Sequence, residues 1–229
     1  MNIGLLLFPR LTLLDLVGPA EVFVRVPEAK VHLVWKQREP VATVNGFAME
    51  PTTTFEECPG LDVICVPGGP GQVDLMEDEA TLAFVRQQAA TAQWVTSVCT
   101  GSLVLAAAGL LEGYRAACHW ASRDQLALFG AIPVDERVVF DRNRVTGGGV
   151  TAGIDFALSL VAKLRGEEVA KAIQLSIEYD PMPPFEGGST RTADPALVAR
   201  MRENMAAYLA PRRAASERAA ARLRAKTSR

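Results

Sequence analysis

The sequence predicts an α/β fold, a three-layer sandwich in which a mostly parallel central sheet lies between two layers of helices. Three observations lead there. Short apolar runs rich in β-branched residues alternate along the chain with longer segments of helical period. One run, LDVICV at residues 61–66, is apolar almost throughout, as a strand buried on both faces of a parallel sheet should be. Another, WVTSV at residues 94–98, passes straight into Cys-Thr-Gly and an Ala/Leu-rich segment, so strand, tight turn and helix follow without a linker.

Taken in order, residues 3–8 read as the first strand, 13–24 as a helix and 31–36 as a second strand. Residues 41–55, interrupted at Asn45-Gly46, read as a hairpin, because that dipeptide accepts the positive φ of a tight turn. After the buried strand at 61–66 comes Pro-Gly-Gly-Pro-Gly at 67–71, then an amphipathic helix at 79–91. The strand at 94–98 leads into a helix at 102–111. A short strand is expected at 115–118, a helix at 119–129, and a second hairpin at 138–146 around Arg142-Asn143. Three glycines at 147–149 precede a long helix at about 153–164, and Gly166 separates it from another at 167–178. Residues 194–229 are helical in pattern. The division expected is an α/β domain over residues 1–190 and a C-terminal helical extension over 191–229.

At 229 residues and 49% hydrophobic, the chain is long enough to bury a sizeable core. A net charge of −2 gives no global field that would draw it to nucleic acid or to anionic lipid. That balance is uneven: from Arg212 onward the charge is +6, leaving −8 on the rest. The basic tail is expected to be a partly frayed, solvated helix or a strap across a partner subunit. Nucleic-acid binding is not expected, since aromatic residues are absent there beyond Tyr208. The N-terminal apolar run is too short for a secretory core, and no window approaches the roughly 18 apolar residues of a membrane helix. No membrane association and a cytoplasmic location are therefore expected.

Ligands of an open parallel sheet bind outside the carboxyl ends of its strands, so the loops at 9–16, 67–71, 99–102 and 147–151 carry the candidate site. Cys99 sits where a nucleophile elbow places its residue, with Gly101 letting the backbone turn closely. The helix N-terminus beside it is expected to lower the thiol pKa and to stabilise a developing anion. Cys58, Cys65 and Cys118 are expected to be inert thiols, and no Cys or His spacing matches a structural metal site. Gly68 and Gly69, in the loop after the neighbouring strand, are candidate backbone N–H donors of oxyanion type. Asp15 is an acid on an otherwise apolar stretch; it is either a first-turn acid or a carboxylate with a chemical task. Glu21 faces either the same pocket or solvent. His119 follows Cys99 by twenty residues, while the other histidine, His32, lies mid-strand in a packing or surface role.

Taken together these residues resemble the ThiJ/PfpI superfamily, and the likeness spans nearly the whole chain. It rests on D-L-x-G-P-x-E-V-F at 15–23, P-G-G at 67–69, C-T-G at 99–101, A-G-L-L at 108–111, H-W at 119–120 and G-G-G-V-T-A-G-I-D at 147–155. The resemblance implies a class I glutamine amidotransferase-like (flavodoxin-like) fold and a homodimer. Within the superfamily, E-Y-D-P-x-P-P-F at 178–185 resembles the isonitrile hydratases. That implies a small-molecule isonitrile substrate, no cofactor and no metal, with the Cys99 thiolate as nucleophile and Asp15 as general acid/base. By the same resemblance Thr100 supplies a hydroxyl and an N–H and Gly69 a second N–H, while Thr151, Gly68, Glu21 and His119 join the binding site. Cys118 departs from the Thr that usually precedes the His-Trp pair. Two alternatives stand beside this reading: a glyoxalase or deglycase acting on reactive carbonyls, and a ligand- or redox-sensing module without turnover.

Overall fold

The computed structural model describes residues 1–227. Its core is a seven-stranded sheet built from β1 (Asn2–Leu6), β2 (Lys30–Trp35), β5 (Thr53–Thr54), β6 (Val63–Val66), β7 (Trp94–Val98), β10 (Val138–Asp141) and β11 (Arg144–Gly147). Their order across the sheet is β10-β11-β7-β6-β1-β2-β5; β10 runs antiparallel to β11, and the other neighbours are parallel. The four residues of β6 are all buried, as the apolar run predicts for a strand covered on both faces. Two small two-stranded pairs lie outside the sheet: β3 (Val41–Ala42) with β4 (Ala48–Met49), an antiparallel hairpin, and β8 (Arg115–Ala116) with β9 (Ile132–Pro133), parallel.

Helices cover both faces. On one, α1 (Leu13–Phe23), α5 (Ala152–Arg165) and α6 (Glu167–Ser176) pack together, with Phe23 edge-on to Phe156 at 5.9 Å between ring centroids. On the other lie α2 (Gln72–Leu75), α3 (Glu79–Ala89), α4 (Gly101–Ala107), a 3₁₀ helix (Arg123–Phe129) and α7 (Pro195–Thr227). The expected helix over 119–129 is thus realised only from Arg123. Residues 119–122 form a turn instead, closed by the Ser122 N–H donating to the His119 carbonyl at 2.9 Å.

α7 is neither frayed nor extended away from the body. Ala215, Ser216, Ala219 and Ala220 are buried against it, and four basic residues, Arg213, Arg218, Arg222 and Lys226, meet acids of the same chain. Glu77 takes Arg218 at 2.9 Å and Arg222 at 2.7 Å, Asp124 takes Arg213 at 2.7 Å, and Glu79 takes Lys226 at 3.0 Å. The uneven charge of the sequence is therefore an internal complementarity between tail and body.

The chain leaves β1 for β2 on one side and returns to β6 on the other, so the order reverses between β1 and β6. The carboxyl ends at that reversal bound a crevice, the place where this architecture binds small molecules.

Candidate active site

Cys99 directly follows β7 and stands two residues before α4, with φ at +57°. A non-glycine residue in that region carries strain of about 1–3 kcal/mol and persists only where its surroundings dictate it. Here two contacts do so. The Cys99 N–H donates to the Gly147 carbonyl at 3.0 Å, tying the elbow to β11. Gly101 lets α4 start against the end of β6: a Cβ at that position would lie 2.0 Å from the Val66 carbonyl oxygen. Behind the elbow, Ser97 and Ser102 share a hydrogen bond at 2.9 Å, and the Ser102 hydroxyl donates to the Ala117 carbonyl at 2.6 Å.

Asp15, in the first turn of α1, is fully buried beside this cysteine. Its Oδ2 accepts the Gly68 N–H at 3.0 Å, while Oδ1 is buried without a hydrogen-bond partner, close enough to the Cys99 thiol for each group to shift the other's pKa. Burial raises the Asp15 pKa to about 7, against the downward pull of the Gly68 N–H and the thiol. The thiol is also pushed well up, first by burial and then by the Asp15 charge and nearby Cys118, with the Thr100 N–H acting the other way. The expected lowering by the helix N-terminus is therefore outweighed: α4 is short, and the acid lies on the thiol's other side. Two groups with both pKa values raised form one coupled unit, which above about pH 7 holds a single proton between them.

The glycine loop turns its N–H groups inward. Gly68 directs its N–H to Asp15, and Gly69 directs its own to Thr100 Oγ1 at 3.0 Å, so neither is open to a substrate. They position the acid and the hydroxyl instead. Gly68 has no room for a side chain, since a Cβ there would sit 2.6 Å from the Thr100 nitrogen and 2.8 Å from Asp15 Oδ2.

A cavity of about 270 Å³ lies outside this end of the sheet, with Cys118, His119, Trp120, Gly148, Thr151 and Arg191 among its walls. It borders the elbow through Cys118 and through Gly148, which follows the residue bonded to Cys99. Thr151 stands exposed on its rim, accepting from Arg137 at 3.1 Å. Arg137 also donates to Asp155, which accepts the Tyr179 hydroxyl at 3.2 Å; this ties the Glu-Tyr-Asp-Pro segment to the rim. His119 is held neutral, its pKa lowered to about 4 by burial and by the Arg212 charge. Glu21 is not brought to the site: it is exposed on α1 and paired with Arg25 at 2.6 Å.

The remaining cysteines are unreactive by environment, burial raising Cys58 to about 11 and Cys65 and Cys118 to about 12. Among the described residues no three His, Cys, Asp or Glu side chains gather as a metal site. Sequence reasoning missed Arg212, the Ser97–Ser102–Ala117 network and the closeness of Cys118 to Cys99, all of which depend on pairings between distant segments.

Residues 1–163 match the DJ-1/PfpI family. The chain is 57% identical, over 97% of its length and 98% of the relative's, to an isonitrile hydratase of Pseudomonas putida. It is 30% identical to the HTH-type transcriptional regulator GbdR of Pseudomonas aeruginosa, over 78% of this chain and 51% of that one. Among solved structures it superposes on a ThiJ/PfpI family protein from Pseudomonas syringae with a TM-score of 0.88 and 47% identity, covering 96% of this chain and 90% of that one. With a strained cysteine elbow, a buried acid against it and a family match over most of its length, the chain belongs to the DJ-1/PfpI family.

Proposed function

We propose that this chain is an isonitrile hydratase, converting R–NC and water to the formamide R–NH–CHO through a thioimidate on Cys99. The observation that carries the reading is a fully buried Asp15 carboxyl, its Oδ1 unpartnered, set beside the Cys99 thiol at the strained elbow. The terminal carbon of an isonitrile accepts a proton and a nucleophile at the same atom, so an acid and a sulfur side by side are the groups required. The relative 57% identical over nearly the whole chain supports the same substrate class.

With the proton on Asp15 and the charge on sulfur, the Cys99 Sγ bonds to the terminal carbon as Asp15 protonates that carbon. The C–N triple bond becomes a double bond, giving R–N=CH–S–Cys99 with Asp15 ionised. Asp15 then takes a proton from water as the oxygen adds to the same carbon, and delivers it to nitrogen. The intermediate R–NH–CH(OH)–S–Cys99 collapses: its hydroxyl proton returns to Asp15, the C–S bond breaks, and the Thr100 N–H receives the departing thiolate. Atoms balance as R–NC plus water, and the pair returns to its one-proton state.

In this reading Cys99 and Asp15 carry the chemistry, Thr100 supports the sulfur, Gly68 and Gly69 hold Asp15 and Thr100, and the cavity beside Thr151 and His119 receives the substituent R. The α/β unit of residues 1–190 carries the site, and residues 191–229 extend it. A homodimer is the proposed assembly, supported by the exposed apolar side chains of Leu14, Leu175, Met182 and Phe185.

The test is formamide production from cyclohexyl isocyanide by purified protein. We expect turnover by the native chain, none by Cys99→Ala, and a kcat lowered by roughly 10²–10⁴ in Asp15→Asn, the range set by a positioned proton donor. A native protein that makes no formamide while its Cys99 is alkylated normally would rule the reading out.

A further inference from the structure

Among the described basic side chains of the tail, Arg212 is the buried one, at 3% exposure, and it is placed unlike the others. Arg213, Arg218, Arg222 and Lys226 reach carboxylates, whereas the Arg212 guanidinium donates from Nη1 to Ser122 Oγ at 3.0 Å and from Nη2 to the Tyr208 hydroxyl at 2.7 Å. Its Nε is buried without a partner, and no carboxylate meets it among the described residues. A buried cation without a counter-ion is expensive unless it has a task.

Ser122 leads from this cation to the cavity that borders the elbow. The Ser122 N–H closes the 119–122 turn on the His119 carbonyl, and inside that turn the Ala121 N–H donates to His119 Nδ1 at 3.3 Å. A ring whose Nδ1 accepts a hydrogen bond carries its proton on Nε2 when neutral. No described residue bonds Nε2, and His119 is a wall of the cavity beside Cys118 and Gly148.

We propose that Arg212 is a positioning residue: through Ser122 it fixes the His119–Ser122 turn, so that a neutral His119 presents its Nε2–H into the cavity as a donor to the reacting substrate. The inference rests on the hydratase reading for what the donor meets, which is the nitrogen of the thioimidate or the oxygen of the formamide. Burial first, and then the Arg212 charge, keep a second proton off the ring. Other charged groups around the cavity are largely paired: Arg123 and Arg191 with Asp135, Arg137 with Asp155, and Glu136 with Arg115. Arg202 lies over the Trp120 ring at 5.8 Å on the exposed side. Arg212, its guanidinium 4.8 Å from the Tyr208 ring centroid, is thus the buried charge near the imidazole that no carboxylate meets among the described residues.

Two histidines make the test direct, because His32 serves as an internal reference. Nitrogen-15 NMR of the resting protein reports tautomer and titration for each ring without any substrate. In the native chain we expect His119 as the Nε2–H tautomer, titrating near 4. In Arg212→Met, of similar length but uncharged, the titration rises from about 4 part of the way to 6.5, burial still acting, and the tautomers mix; His32 is unmoved. The same variant loses about tenfold in kcat with little change in KM, a loss deepening as pH falls, and Arg212→Lys restores most of the low titration. A folded Arg212→Met with the native His119 titration and tautomer overturns the proposal. Should that variant not fold, Ser122→Ala decides: mixed tautomers support the tether and an unchanged Nε2–H tautomer overturns it. Absence of turnover in the native chain would remove the hydratase reading alone, since the NMR measurements do not depend on it.

Discussion

At Cys99 and Asp15 the chemistry turns on one proton, and its pH dependence has a definite sign. Below about 7 the pair holds two protons and the sulfur has no base to accept its own; above it Asp15 is ionised and can do so. We therefore expect kcat/KM for isonitrile hydration to rise with pH through an apparent value near 7, which a pH–rate profile will read, and which Asp15→Asn will abolish. Stability runs the opposite way. The folded-state pKa of Asp15 is raised from 3.8 to about 7, so its contribution is fully present below 3.8 and is lost as pH rises towards 7. The interval corresponds to about 4 kcal/mol, and urea titrations at pH 4.5 and 8 will show the native protein losing stability relative to Asp15→Asn by an amount of that order. The cysteine and the acid were both legible in the sequence, because each breaks a local pattern: a thiol at a strand-to-helix junction and a charge on an apolar stretch. The direction of the thiol pKa was not legible, since it depends on how deeply the pair is buried. Nor was Glu21, whose periodicity on α1 allows either side until the partner helix α5 is placed.

The elbow works because β6, β7 and α4 close on one another with almost no slack. Adding one methyl at Gly101 drives it to 2.0 Å from a strand carbonyl, a contact that only a shift of backbone relieves. Gly101→Ala is expected to lose at least 1–3 kcal/mol by overpacking and to move Cys99 off its positive φ. Differential scanning calorimetry and the rate of Cys99 alkylation will report the two effects separately. Most element types were evident from periodicity, and the strand at residues 94–98 has the bounds the sequence predicts. The helix expected from His119 was the principal error. Its helical pattern is real, but Ser122 and His119 are engaged by α7 and by the turn, so tertiary bonds replace the first helical turn. The closeness of the Pro67–Gly71 loop to the elbow is legible in the sequence, whereas the bonds of Gly68 to Asp15 and of Gly69 to Thr100 are not, because those partners come from distant segments.

Across the whole molecule, α7 links residues that are more than a hundred positions apart, and the charges of the tail meet those of the body. Glu77, accepting from Arg218 and Arg222, has its pKa lowered from 4.5 to about 2. Its stabilisation is present above 4.5 and lost as pH falls towards 2. Because the group is mostly solvated, the effect at neutral pH is modest: Glu77→Gln should lower Tm by about 2–4 °C at low ionic strength and less at 1 M salt. The charge asymmetry was visible in the sequence, but not that it closes on the same chain, because composition does not say which surface a helix will find. The placement of α7 also has a consequence in time. It follows every strand of the sheet in chain order, so a ribosome releases the core before the helix that lies over α4 and pins the His119 turn. Until α7 arrives, the outer face of α4 is uncovered and the imidazole is untethered. On the role proposed for His119, the nascent protein passes through a stage in which the Cys99 elbow can be in place while that imidazole is not yet held.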